Sequence, residues 1–154
     1  MNDIKYWLMK SEPEAYSIND LHKDDTTIWD GIRNYQARNF MRTMNIGDKV
    51  FFYHSNCKPP SIVGLMEVVE KDIIDPTQFN SSSNYFDPKS DPKNPKWDCV
   101  RLKFISKFKN PLSLTKLKLL FNEDELLVVK RGNRLSIIPV LEDIANKILL
   151  EIEY

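Results

Sequence analysis

Two apolar runs stand on either side of a proline turn, and no other feature narrows the fold so much. Residues 49–54 read KVFFYH and residues 61–71 read SIVGLMEVVEK, with Cys57-Lys58-Pro59-Pro60 between them. Aromatic and β-branched residues favour strands, and proline, which lacks an amide donor, ends them. The pattern predicts a hairpin or near-hairpin pair. Gly64, inside the second run, marks a bulge or a close backbone approach.

The remaining elements are read around that pair. Residues 4–9 (IKYWLM) form an opening strand, stopped by Ser11-Glu12-Pro13. Ser17 with Asp20 is an N-cap with an acidic first turn, so 17–22 is a short helix. Tyr35, Ala37, Phe40, Met41 and Met44 recur at helical spacing over 34–44, and Asn45 and Gly47 follow as stop signals. In 97–108, Val100, Leu102 and Phe104 alternate with Arg101 and Lys103, which gives a half-buried strand with a basic outer face. Ser113 caps a helix through Leu120, and 126–129 is apolar and ambiguous. Residues 131–134 are a turn, 135–138 a short strand, and 141–150 a helix with Leu141, Ile144, Ala145, Ile148 and Leu149 on one face. Residues 75–95 hold Pro76, Pro88, Pro92 and Pro95 and read as a long ordered loop with one helical turn at 76–79. Loops of that length in a compact domain are functional or disordered, and Phe79, Tyr85 and Phe86 favour a packed one. The expectation is an α+β fold, a strongly bent sheet or small barrel of five to six strands flanked by short helices. At 154 residues the chain is expected to be a single domain over 1–154.

Composition removes several function classes. With 42% hydrophobic and 29% charged residues the chain is globular. No apolar run approaches the ~20 residues that span a bilayer. Residues 1–5 carry no basic and apolar leader pattern, so secretion and membrane insertion are disfavoured. Two cysteines, Cys57 and Cys99, make no disulfide framework, and reduced intracellular thiols are the simplest reading. Two histidines, His22 and His54, without a His/Cys cluster disfavour a metal site. Four glycines and no phosphate-cradling motif disfavour a bound nucleotide cofactor, and no GxSxG elbow is present. Lys plus Arg equals Asp plus Glu at 22 each, which excludes a bulk polycation. The charge is uneven, however. Residues 93–118 hold eight basic and one acidic group, whereas 59–92 hold two basic and six acidic. That suits one basic face and one acidic back, or simply a solvated, salt-bridged surface.

Polar and aromatic groups interrupt the apolar structure at four places: 10–13, 29–35, 53–56 and 131–136. Each sits at a strand end or just before a helix. A flat heterocycle needs rings to stack on its faces and amides or hydroxyls to read its edge. The plainer alternative makes Trp29 and Tyr35 core residues and the polar groups caps, and the residues alone leave both open.

The longer segments around those places are distinctive: YWLMKSEP at 6–13, WDGIRNYQARNFMR at 29–42, GDKVFFYHSN at 47–56, GLMEVV at 64–69, YFDPKSDPKNPKW at 85–97 and KRGNRLSIIPV at 130–140. Together they resemble the EVE domain family of the PUA-like superfamily, in the family's order and across essentially the whole chain. Residues 112–129 match only loosely. The resemblance implies a small curved β-barrel flanked by helices. It also implies a non-catalytic reader of a modified base in DNA or RNA, a modified cytosine among the candidates, with base flipping and no cofactor. Carried over, Trp29 is the stacking residue, with Tyr53 or His54 as the opposite wall. Lys10, Ser11, Asn34, Ser55 and Asn56 are candidates for the base edge. Arg33, Arg38 and Arg42 are candidates for flanking phosphates. Arg131, Asn133, Arg134 and Ser136 frame the mouth, the two arginines toward the backbone. Capping is an equal alternative for Asn34, Asn133 and Arg134. The expected partner is nucleic acid carrying the modified base, in the cytoplasm, or in the nucleus of a eukaryote. Two other readings remain. One is a small amidohydrolase of modified nucleosides, with Lys10 as base or nucleophile assisted by Glu12 or Glu67. The other is a protein-interaction module using the 81–97 loop.

Overall fold

A computed structural model of the chain describes residues 3–153. Met1 and Asn2, which belong to the segment read for a leader, and Tyr154 at the end of the expected domain lie outside the described residues. The strands are β1 (Tyr6–Ser11), β2 (Thr26–Ile28), β3 (Lys49–His54), β4 (Ser61–Ile74), β5 (Asp98–Ser113) and β6 (Ile137–Val140). The helices are α1 (Ile18–Asp24), α2 (Tyr35–Thr43), α3 (Leu114–Leu120) and α4 (Glu142–Glu153), with 3-10 turns at Pro76–Phe79 and Leu127–Val129. The six strands form one sheet in the order β2-β5-β4-β3-β1-β6. The fold is α+β, as expected, and the sheet is curved and open: β2 and β6 are its two edges. No helix among the described residues is long and apolar enough to cross a membrane.

The two apolar runs pair antiparallel, β3 with β4, as their proline turn requires. The register slips between Phe52 and Tyr53 on β3, and between Ile62 and Gly64 on the β5 side. Gly64 is the reason this crowding is tolerated. A Cβ there would sit 2.5 Å from Ile18 Cδ1 and 2.7 Å from Ser106 O. β1 runs parallel to β3, with Lys10 opposite Tyr53 and Ser11 opposite His54, so both strands end side by side.

Successive side chains on a strand point to opposite faces, and here both faces are covered. Trp7, Met9, Val50 and Phe52 point to one face, where Ile18 and Leu21 of α1 and Ala37 and Met41 of α2 cover them. Leu8, Phe51 and Tyr53 point to the other, under Leu117 of α3 and Ile144, Ala145 and Ile148 of α4. A strand buried on both faces reads as a continuous apolar run, which is why KVFFYH does not alternate. Inside the first layer Asp48 is buried but satisfied, accepting from the Trp7 indole at 2.9 Å and from the amides of Lys5 and Asn45.

The element bounds differ from expectation in instructive ways. β1 extends through the polar Lys10-Ser11 because β3 supplies the ladder partners. β5 continues past Pro111, which falls in the irregular stretch between the Ile62–Leu112 and Gly64–Lys107 pairs, where no ladder amide is needed. β6 lies two residues later than read and contains Pro139; it pairs with β1 alone, and an edge strand tolerates proline. β2 went unread: three residues are too few to show a period.

Candidate functional site

Alternation at the end of β1 builds the site. Ser11 points to the same layer as Met9, the side of Trp29, while Lys10 points to the side of Tyr53. A cavity opens on each side, and Lys10 lines both.

The first cavity has a volume of about 370 Å3. Its walls include Lys10, Ser11, Glu12, Tyr16, Trp29 and Asp30, and Tyr85 reaches it from the long loop. Trp29 is only 8% exposed and meets the Phe52 ring edge-on at 5.5 Å, so its orientation is set by the core. Its amide bonds Val100 O at 2.8 Å, continuing the β2–β5 ladder. Ser11 Oγ donates to Tyr16 O at 2.6 Å. Tyr16, whose phenol burial raises to about 12, donates to Asp24 at 2.8 Å. Asp30 opens to solvent at the rim. Its carboxyl is raised from the ordinary value, first by desolvation in the cleft and then by the Asp75 carboxylate.

The second cavity has a volume of about 330 Å3. Lys10, Lys118, Lys130 and Arg131 line it with Ser55 and Asn56, over a floor that includes Tyr53 and Val128. The Lys10 ammonium lies 6.0 Å from the Tyr53 ring centroid, and burial lowers its pKa. Burial likewise raises the Tyr53 phenol to about 12, so it stays protonated. Asn56 adopts a left-handed φ of 52° and donates from Nδ2 to Glu12 Oε1 at 3.1 Å, tying the two rims together.

The remaining candidate residues are held in other ways. Asn34 is the N-cap of α2, its Oδ1 accepting from the Ala37 amide at 2.9 Å. Asn133 braces its turn, with Nδ2 donating to Leu127 O and Oδ1 accepting from the Leu135 amide. His54 accepts at Nε2 from the Ile18 amide at 3.1 Å and packs edge-on against Phe52. Burial, and secondarily Lys107, lowers its pKa and keeps it neutral. Ser136 gives its carbonyl to the Lys10 amide at 2.8 Å. Arg134 is exposed in the turn and lines neither cavity. Glu67 forms an ion pair with Lys49 at the far end of β3, away from Lys10.

The three arginines around α2 act as braces for the loop. Arg33 bonds Asp75 at 3.1 Å, Thr77 Oγ1 at 2.9 Å and Tyr85 O, with its guanidinium 5.1 Å from the Trp97 ring. Arg38 donates to Lys96 O at 2.9 Å and stacks on Tyr35 at 4.6 Å. Arg42 pairs with Asp98 at 2.8 Å. Asp75 anchors the loop. Burial alone would raise it, but donors from Thr77, the Gly31 amide and Arg33 outweigh that and hold it low. Buried Gln78 bonds the carbonyls of Asp75 and Trp97, and Asp87 accepts from the Trp97 indole at 2.8 Å. The loop is thereby an ordered wall that presents Tyr85 to the first cavity. The sequence places Tyr85 in a packed loop, but no spacing in it joins Tyr85, Tyr16 or Asp30 to the site. The segment 29–35 pointed to Asp30; nothing local pointed to the other two.

The EVE domain family model matches residues 5–150. Thymocyte nuclear protein 1 of Rattus norvegicus is 49% identical over 128 residues, covering 76% of this chain, which spans 57% of that relative's length. A crystal structure of a protein from Pseudomonas syringae superposes with a TM-score of 0.91 at 44% identity, covering 95% of this chain and 98% of the other. The human THYN1 protein, solved in complex with DNA containing 5-methylcytosine, superposes at 0.90 with 39% identity, covering 97% and 98%.

Proposed function

Because the chain belongs to the EVE domain family, we propose that it reads a modified base in nucleic acid without catalysing a reaction on it. The observation that carries this is the first cavity: a core-oriented tryptophan beside polar edge groups, with an aromatic loop residue at the rim. About 370 Å3 lies at the small end of the ~300–1,000 Å3 range of ligand pockets, a size that suits one base. Trp29 supplies the stacking face, worth roughly 1–3 kcal/mol per base. Lys10 and Ser11 supply polar contacts to the edge. Asp30 supplies an acceptor of the kind that takes the N4 amino group of cytosine. Ile28 and Ile32, also in the wall, supply an apolar niche for a methyl group. Arg134 remains a backbone contact in this reading. The complex of human THYN1 with DNA containing 5-methylcytosine makes that base the first candidate ligand. Relatives named for the nucleus support a nuclear site of action in a eukaryotic cell.

The test is binding to short DNA and RNA strands, single and double, each carrying one modified base at fixed low salt. Selective binding is expected, weakened about 5- to 150-fold in Trp29→Ala if stacking supplies roughly 1–3 kcal/mol. Because Trp29 is also core, folding of the variant is checked by near-UV circular dichroism. Equal binding of modified and unmodified strands, or a folded Trp29→Ala that binds as wild type does, overturns the reading. Turnover of acylated cytidines, lost in Lys10→Ala, overturns its non-catalytic part.

A further inference from the structure

The second cavity differs from the first in charge. Of its lining residues, Lys10, Lys118, Lys130 and Arg131 are basic and none is acidic, although acidic and basic residues balance over the whole chain. The four come from three separate parts of the fold: the end of β1, α3 and the turn after the Leu127–Val129 helix. Tyr53, Leu114, Val128 and Val129 form an apolar wall beneath them. Charges of one sign over a low-dielectric wall concentrate their field in the cleft between them. Ser55 adds a hydroxyl and Asn56 an amide, and Glu12, which lines the first cavity, accepts from Asn56. Lys10 is common to both cavities, so a ligand in one is within reach of a group bound in the other.

From this we infer that the second cavity is a phosphate site, held by Arg131, Lys118, Lys130 and Lys10. It deepens the base-reading proposal, on which it rests for the identity of the phosphate: one belonging to the same nucleotide, or to its neighbour in the strand. Arg131 offers a planar fork of donors that matches phosphate oxygens, and the lysines act as point charges. A phosphate there restores an opposite charge beside Lys10, which favours its ammonium form. The base cavity then recognises and the basic cavity positions, a division common in nucleic-acid binding. Phosphate can come from a strand or from a free nucleotide, and the probes below separate the two.

The experiment compares wild type with Lys118→Gln/Arg131→Gln, both exposed positions whose substitution leaves the core untouched. Four probes are used: inorganic phosphate, 5-methyldeoxycytidine 5′-monophosphate, a short single strand with one 5-methylcytosine, and the same strand with an abasic site there. Amide chemical shifts are followed at residues 55–56 and 130–133. Shifts at those residues in wild type, lost in the double variant, are the expected result. Shifts with the strands alone assign the phosphate to the polymer, and shifts with the mononucleotide as well assign it also to free nucleotide. With either strand, the slope of log K against log salt is expected to fall by about 0.7, as for one single-strand phosphate given up. No shift at these residues with any probe, or the same shifts and slope in the variant, overturns the inference. The abasic strand keeps the two proposals apart. If wild type fails to distinguish modified from unmodified base, the reader proposal fails while the abasic slope still tests the phosphate site.

Discussion

On the Trp29 side of β1 the cavity carries Glu12 and Asp30, and its rim is completed by Tyr85 from a loop that Arg33, Arg38 and Arg42 clamp to the body. On the Tyr53 side the cavity carries three lysines and an arginine, and its rim is a short turn with exposed Arg131. The arginines of the first side are committed to internal partners, and the basic residues of the second line an open cleft. Two neighbouring residues of one strand, Lys10 and Ser11, thus border opposite chemistries. The difference teaches that a cluster of arginines in sequence is no measure of a basic surface. What matters is whether carboxylates and carbonyls of a distant segment meet them.

The sharpest way to break this contrast is Asp75→Ala. Asp75 is 1% exposed and is bonded by Arg33, the Gly31 amide and Thr77. Removing it leaves Arg33 partly buried without its counter-charge, a change of about 3–5 kcal/mol by analogy with broken buried pairs. Urea unfolding is expected to show that loss. Amide spectra should shift around Gly31 and Tyr85 and hold at Ser55 and Arg131, and a loss spread evenly over both cavities would show that the two sides are not independent.

A smaller effect is expected from Gly31→Ala. Gly31 has φ of +80°, and a Cβ there would meet the Tyr85 ring at 2.9 Å. The left-handed backbone alone disfavours a side chain by roughly 1–2 kcal/mol, and the contact displaces Tyr85 from the rim. Binding of the modified strand should weaken more than binding of the abasic strand. Equal weakening of both would remove Tyr85 from the base cavity.

The last is a pH dependence seated at the end of β3, where His54 packs on Phe52. His54 is held neutral in the folded state, below its ordinary value of 6.5, by burial and then by Lys107. Below that ordinary value the unfolded chain takes up a proton that the folded state resists, so stability present above about pH 6.5 is lost as pH falls through the folded pKa. Unfolding at pH 7.5 and 5.5 should show this decline in wild type and a shallower one in His54→Gln. An unchanged slope in the variant would assign the decline to other groups.

Much of the scaffold was legible locally. The Ser17–Asp20 capping box, the Ser113 and Asn34 caps, the hairpin about Pro59-Pro60 and the alternation of Val100, Leu102 and Phe104 all depend on residues within a few positions of each other. The ends of β1 and β5 were not legible, since partners across the sheet, not the strand's own composition, carried them on. Of the candidate site residues, Trp29, Lys10 and Ser11 line one cavity, while Tyr53, Ser55 and Asn56 line a second. The face on which a strand residue emerges depends on register, which no stretch of one strand contains.

The amino-acid sequence by itself determined most of the elements, the family and the segments that converge at the end of β1. The tertiary structure alone decided how those segments divide and which charges remain available. The arginine partners show why: Arg33 meets Asp75 from 42 positions away, Arg42 meets Asp98 from 56, and Arg38 meets the Lys96 carbonyl from 58. Capping and alternation act over one turn or one pleat and leave a local pattern. Electrostatic pairing acts through space, so the same guanidinium is a phosphate contact or a brace according to what the chain brings beside it.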